Sequence, residues 1–256
     1  MAQIISIVNQ KGGTGKTTTA INLGAALATF GKFVLLLDFD PQGNATSGLG
    51  VRMKEGNRGI YDVLAGHKTA TESIAGTTVQ GLNLLPSGQD LSGASIELVN
   101  VENREYKLQE ALREVRNDYD FILIDCPPSL GLLTINSLVA SDEVLIPVQC
   151  EYYALEGLSQ LLNSIELVKN NLQPDLNILG ALLTMYHKRL RLAKDVVSQV
   201  RKHFPYRVFK TLIPRNVDLA EAPSFGTPII EHSERSAGSK AYRKLAIEVL
   251  KAYNLV

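Results

Sequence analysis

The sequence predicts a doubly wound α/β fold, a mainly parallel sheet with helices on both faces. Two observations carry the prediction. Most of the strand-like runs are apolar without interruption, as strands covered on both faces must be. Helical patterns separate most of them, and strand–helix alternation produces parallel strands joined by crossover helices. In such folds ligands bind beyond the carboxyl ends of the strands.

In chain order, the first strand is Ile4–Asn9, rich in isoleucine and valine, followed by a glycine-rich turn and the Ala/Leu-rich helix Lys16–Phe30. Phe33–Asp38 is an apolar strand ending in an acid, and Leu82–Pro86 is a strand stopped by proline. The helix Glu105–Asn117 leads into Phe121–Asp125, again apolar and acid-terminated. The helix Leu130–Ala140, strand Val144–Val148, helix Leu155–Asn171 and strand Ile178–Thr184 continue the alternation. The helix Ala193–His203, strand Val208–Ile213 and a final amphipathic helix, Gly238–Tyr253, complete it. Residues 42–60 are rich in glycine and small polar side chains and read as a mobile surface segment.

The chain has 256 residues, 45% of them hydrophobic, enough for a sizeable core and against disorder. One α/β domain spanning 1–256 accommodates this length, and no linker, repeat or low-complexity tract divides it. Lysine plus arginine and aspartate plus glutamate both number 26, but unevenly. Residues 1–184 hold 12 basic and 20 acidic side chains, and residues 185–256 hold 14 and 6. An anionic partner is therefore expected at the C-terminal third. Cys126 and Cys150 form no CxxC pair, which excludes a disulfide scaffold and a cysteine-built zinc site. The four histidines lack metal-ligand spacing, no apolar run has the ~18 residues of a membrane span, and the N-terminus carries no signal pattern. A cytosolic protein of a reducing compartment is expected.

The sharpest motif is Lys11-Gly12-Gly13-Thr14-Gly15-Lys16-Thr17-Thr18, between a strand and a helix. That is the context of a phosphate loop. Its glycines let backbone N–H groups converge on phosphate oxygens, and the helix N-terminus adds its dipole. Lys16 reaches the β- and γ-phosphates in this reading, and the Thr17 hydroxyl ligates Mg²⁺. Position 10 is glutamine where the ordinary pattern has glycine, and a second lysine, Lys11, opens the loop. Asp38 and Asp40 end the second long strand one residue apart, on one face of an extended chain. Such carboxylates hold Mg²⁺ through water or hold an attacking water. Phe121-Ile122-Leu123-Ile124-Asp125 has the form of a Walker B strand, whose acid binds Mg²⁺ through water, and Pro127 and Pro128 stop it. Cys126 and Cys150 read as small buried residues.

The two-lysine loop resembles that of the deviant Walker A P-loop ATPases, the ParA/MinD group. The resemblance implies that Lys11 crosses a dimer interface to the partner's phosphates, that Asp40 orients the hydrolytic water, and that Asp38 belongs to the magnesium shell. It places an adenine pocket at Ile213-Pro214-Arg215-Asn216, with Pro214 on the purine, Asn216 at its edge and Met185 flanking it. Segments 40–48, 149–157, 213–216 and 221–226 look like the chromosomal Soj branch of ParA proteins. That branch implies ATP/ADP and Mg²⁺ as cofactors and a homodimer formed on ATP binding. It also implies nonspecific double-stranded DNA and a ParB (Spo0J) partner at centromere-like sites, in the cytoplasm on the nucleoid. It predicts no separate N-terminal DNA-binding domain, because Met1 lies so close to the first strand. The basic cluster Lys188, Arg189, Arg191 and Lys194, followed by Arg215, Arg235, Lys240, Arg243 and Lys244, suits sequence-independent phosphate contacts. In Soj relatives an arginine after the Met-Tyr pair contributes to DNA binding, which maps to Arg189. A MinD-like membrane-associated positioning ATPase is the alternative. It would need a basic amphipathic tail, whereas Tyr242–Val256 carries mixed charge and reads as a core-packed helix.

Overall fold

The computed structural model describes residues 1–53, 59–152 and 154–256. Its sheet contains β1 (Gln3–Ile7), β2 (Val34–Asp38), β3 (Ala75–Gly76), β4 (Leu82–Leu85), β5 (Phe121–Asp125), β6 (Glu143–Gln149), β7 (Asn177–Tyr186) and β8 (Val208–Pro214). The spatial order is β3-β4-β2-β5-β1-β6-β7-β8. All neighbours are parallel except the short β3, which runs antiparallel to β4.

The helices among the described residues are α1 (Lys16–Thr29), α2 (Asn44–Gly48), α3 (Ile60–Leu64), α4 (Ala70–Ser73), α5 (Leu91–Glu97) and α6 (Lys107–Leu112). They continue with α7 (Leu132–Ala140), α8 (Ala154–Asn171), α9 (Arg191–His203), α10 (Val217–Glu221), α11 (Ile229–His232) and α12 (Ala237–Ala252).

The strands read as unbroken apolar runs because each feeds two cores. Along β2, Leu35 and Leu37 join Ile4, Ile122 and Ile124 under the helices α6 to α9. Val34 and Leu36 join Ile5, Ile7, Phe121 and Leu123 under α1 and α12. Alternate side chains therefore point to opposite layers, and every residue of β2 and β5 is buried. Each such leucine, isoleucine or phenylalanine contributes roughly 1.5–3 kcal/mol on burial.

The long elements lie where the sequence predicts them, within two or three residues. The predicted helix 105–117 is shorter. A 3₁₀ turn, Arg104–Tyr106, precedes α6, and past Leu112 the chain tightens into i→i+3 turns. Those turns bring Arg116 to Asp142, at 2.7 and 2.8 Å, and its carbonyl to the Ala2 N–H.

The expectation of a mobile segment at 42–60 is corrected in part. Residues 44–48 form α2, and Ala45, Thr46, Gly48 and Leu49 are buried against α1 and the loop before α11. Residues 54–58 of that segment lie outside the described residues, as does Tyr153 of the Soj-like segment 149–157.

Candidate active site

The carboxyl ends of β1, β2 and β5 sit side by side, with Ile7 level with Asp125 and Asp125 level with Asp38. Everything the sequence singles out for phosphate chemistry leaves the sheet here. The loop from β1 to α1 is tightly turned. Gly13 and Gly15 take φ of +74° and +89°, a region that side-chain-bearing residues rarely adopt. No atom lies within 4 Å of where a Cβ would stand on Gly12 or Gly13, so their outer side is an open cradle. The Thr184 hydroxyl of β7 donates to the Thr14 carbonyl at 2.8 Å and anchors the loop from behind.

Lys16 opens α1 but is almost fully buried, and its ammonium donates to the Lys11 carbonyl at 3.3 Å. Burial pulls its pKa below the ordinary lysine value, and Asp125, Cys126 and Asp40 oppose the shift. A buried ammonium at the start of α1, behind a glycine turn whose outer side is open, suits an anion.

The three carboxylates differ in how they are held. Asp38 is well partnered: Oδ2 accepts the Thr46 N–H and hydroxyl, both at 2.7 Å, and Oδ1 accepts the Asp40 N–H at 3.3 Å. Burial nonetheless pushes its pKa up to about 6. Asp40 accepts the Gln42 N–H at 3.0 Å, and its carbonyl accepts the Ser87 hydroxyl at 3.0 Å. Asp125 is fully buried and neither oxygen has a well-formed hydrogen bond among the described residues, although the Thr17 hydroxyl is near enough to favour its ionised form. Desolvation, then the like charge of Asp38, drive its pKa well above the carboxylate range.

Those orphaned oxygens are what a divalent cation would satisfy. No cluster of three or more His, Cys, Asp or Glu among the described residues can cage a metal alone. The residues expected to hold one, Thr17, Asp38 and Asp125, offer only oxygen donors at the ends of β2 and β5 and the start of α1. This fits Mg²⁺, which keeps several waters and completes its shell with substrate phosphates.

Lys11 stands apart from this group. It is half-exposed, and its ammonium pairs with Glu151 of the same chain at 2.8 Å. Glu151 also accepts from Gln149 at 2.6 Å, and Gln149 donates to the Met185 sulfur at 3.2 Å. A chain of contacts therefore links the first loop lysine to the end of β7.

Met185 has φ of +51°, a strained value for a non-glycine residue. It separates the phosphate cradle from a second cavity of about 560 Å³, lined by Pro214, Arg215, Asn216, Ile213, Thr18 and Tyr242. The residues expected around a purine are thus brought together. The Asn216 side chain is partly engaged: Oδ1 accepts the Leu219 N–H at 3.2 Å as the N-cap of α10, and Nδ2 donates to Asp218 at 2.8 Å. The second Nδ2 N–H has no partner among the described residues.

Lys188 and Arg189 lie exposed in the turn after β7. Arg191 begins α9, nearly fully exposed, 3.9 Å from Asp195, and Arg215 is exposed at the rim of the second cavity. Cys126 is buried and donates to Ser137 Oγ at 3.0 Å, and burial pushes its thiol up to about 12. Cys150 is likewise buried and pushed up to about 11, so both are packing residues.

Sequence reasoning missed Glu151, Thr46 and Tyr242. Glu151 stands in a motif noted only for its likeness, Thr46 in a segment read as surface, and Tyr242 in a helix read as core.

Residues 2–178 match the AAA domain family. The chain is 56% identical over 249 residues to the sporulation initiation inhibitor protein Soj of Bacillus subtilis (strain 168), covering 97% of this chain and 98% of that one. It is 52% identical over 251 residues to the chromosome partitioning protein ParA of Myxococcus xanthus (strain DK1622), covering 98% and 89%. Among solved structures, cobyrinic acid a,c-diamide synthase from Mycobacterium smegmatis, with bound ATP analogue and magnesium, superposes with a TM-score of 0.88 at 37% identity, covering 99% and 96%. With more than half of the residues shared along nearly the whole chain, the protein belongs to the ParA/Soj family of chromosome-partitioning ATPases.

Proposed function

We propose that the chain is a Mg²⁺-dependent ATPase that dimerises on ATP, binds double-stranded DNA without sequence preference, and is released when a ParB-type partner stimulates hydrolysis. The observation that carries the reading is the unpartnered, fully buried Asp125 beside the buried Lys16, beneath an open glycine cradle. Costs of this kind cluster at sites where a ligand relieves them.

Each residue then has a task. The amides of 12–18 and Lys16 hold the phosphates, and Thr17, Asp38 and Asp125 would hold Mg²⁺. When bound, the ion neutralises charge developing on the phosphoryl oxygens. Asp40, at the same sheet edge, orients the attacking water, and phosphoryl transfer then needs positioning rather than a protein nucleophile. Pro214 and Met185 pack on the base, and the free Asn216 N–H reads its edge.

Lys11 completes the partner's site. In one chain it rests on Glu151, and an exposed pair of this kind is worth only about 0–1 kcal/mol. It therefore leaves readily for a triphosphate across a two-fold interface, where it acts as an arginine finger does in trans. Lys188, Arg189, Arg191 and Arg215 meet DNA phosphates. Dimerisation doubles that surface and so couples ATP to DNA affinity.

Phosphate release with Mg²⁺ and ATP tests the reading. Slow turnover, raised by DNA with the ParB-type partner and abolished in Asp40→Ala while ATP binding persists, is expected. Unchanged turnover in Asp40→Ala would remove Asp40 from its role, and absence of ATP binding would overturn the whole assignment.

A further inference from the structure

The first turn of the phosphate loop is tied back to the sheet by Asn9. β1 ends at Ile7, but its ladder with β6 runs one bond further, from the Val8 N–H to the Leu145 carbonyl at 3.1 Å. A parallel ladder continued by two residues would bring the Gln10 N–H to the Pro147 carbonyl. The chain turns off into the loop instead, and the Asn9 side chain takes that place. Its Nδ2 donates to the Pro147 carbonyl at 2.7 Å. Its Oδ1 accepts the Lys11 N–H at 2.9 Å. Pro147 offers only an acceptor here and the Lys11 amide only a donor, so both bonds demand the same orientation of the Asn9 amide.

Lys11 is therefore held at its root and loose at its tip. Its carbonyl accepts the Lys16 ammonium at 3.3 Å and the Thr14 hydroxyl at 3.4 Å, both from within the loop. Asn9 holds the Lys11 N–H from outside it. The Lys11 ammonium rests on Glu151, an exposed pair. Both fastenings lead to one strand end, because Pro147 lies in β6 and Glu151 stands two residues past it. Glu151 holds the tip of Lys11, and Asn9 holds the root.

We propose that Asn9 is a positioning residue for hydrolysis in the partner's site: it fixes the root of Lys11, so that the ammonium crosses the two-fold interface onto the other chain's phosphates. A lysine stem is long and flexible, and it aims poorly unless its root is fixed. Phosphate bound in the cradle draws the Lys16 ammonium off the Lys11 carbonyl, and Asn9 keeps the root in place when that support goes. Loss of Asn9 then spares the chain's own phosphate site and harms the partner's. The inference rests on the proposed donation of Lys11 in trans and adds a residue that acts through it.

Phosphate release at saturating Mg²⁺ and ATP, with ATP binding by calorimetry, tests it on wild type, Asn9→Ala, Asn9→Ser, Asp40→Ala and Lys11→Ala. Asn9→Ala is expected to bind ATP as wild type does and to turn over roughly tenfold to a hundredfold more slowly, the scale of a misplaced group. Mixing separates an effect in trans from one in cis. Asn9→Ala and Asp40→Ala are combined in equal amounts before ATP is added, well above the wild-type dimer midpoint. In a mixed dimer the Asn9→Ala chain keeps its own Asp40 and receives a well-held Lys11 from its partner. About half of the dimers are mixed and each has one complete site, so the mixture is expected to regain about a quarter of wild-type turnover. A weakened fold or a site damaged in cis would gain nothing from this partner. Asn9→Ser keeps an acceptor for the Lys11 N–H and is expected to fall between wild type and Asn9→Ala. It enters the same mixing if the alanine variant melts early. Wild-type turnover in Asn9→Ala, a loss of its ATP affinity, or no recovery on mixing would overturn the role of Asn9 and leave that of Lys11 standing. Lys11→Ala that hydrolyses ATP as fast as wild type would overturn donation in trans, and the inference with it.

Discussion

Replacing Asp125 by asparagine keeps the shape of the side chain and removes its charge. Without ligand, the wild-type carboxylate is buried, has no well-formed hydrogen bond among the described residues and lies in the next strand to Asp38. A buried polar group without a partner costs about 1–3 kcal/mol, and the like charge adds to it. Both Asp125 and Asp38 have folded pKa values above the ordinary 3.8, Asp38 at about 6. The sign follows from linkage. Stability from these groups is fully present below about pH 3.8 and is lost as pH rises through their folded values. For Asp38, two units correspond to something on the order of 3 kcal/mol.

Asp125→Asn is therefore expected to melt with wild type near pH 4 and above it at pH 8. A gain of about 2 kcal/mol gives roughly 4–8 °C for a domain near this size. Mg²⁺-ATP reverses the order. At a hundredfold excess over its dissociation constant it adds about 2.7 kcal/mol to wild type, and the variant should lose most of that gain. The assay is thermal melting in EDTA at both pH values and with Mg²⁺-ATP at pH 8. A ligand-free variant no more stable than wild type at pH 8, or one that keeps the full Mg²⁺-ATP gain, would refute the reasoning.

Other consequences are simpler to state. Lys16→Ala should abolish detectable ATP binding by calorimetry, because the cradle loses its only buried cation among the described residues. Thr46→Val should raise the Asp38 pKa further and destabilise the fold by about 1–3 kcal/mol at neutral pH, since it removes the 2.7 Å hydroxyl bond to Asp38 and leaves the Ser87 N–H without its acceptor. Urea unfolding at pH 7 measures this. Glu151→Gln should weaken the resting place of Lys11 and shift ATP-dependent dimerisation to severalfold lower protein concentration in sedimentation equilibrium, in line with the ~0–1 kcal/mol of an exposed pair. A shift to higher concentration would mean that Glu151 serves the dimer rather than the free chain.

The fold was legible because burial on two faces writes itself into β2 and β5 as unbroken apolar residues, and because Gly13, Gly15 and Lys16 stand between a strand and a helix. The carboxylates were legible because each ends such a strand. What stayed hidden depends on contacts distant in sequence. Thr46 reads as a surface threonine until α2 folds it against Asp38, eight residues away. Glu151 meets Lys11 across 140 residues, a pairing that no local pattern encodes. Met185 looks like an ordinary strand residue, and its left-handed backbone falls at the register shift between Leu183 and Tyr186, where the pairing of β7 with β8 is irregular.

The claim on which the account turns is that two chains close over two nucleotides, each sealed by the other's Lys11. Light scattering of wild type and Lys11→Ala with Mg²⁺ and a non-hydrolysable ATP analogue, both saturated by calorimetric criteria, measures it directly. The account predicts a dimer for wild type and a monomer for Lys11→Ala. A nucleotide-saturated wild type that stays monomeric, or a Lys11→Ala protein that dimerises equally well, would contradict it.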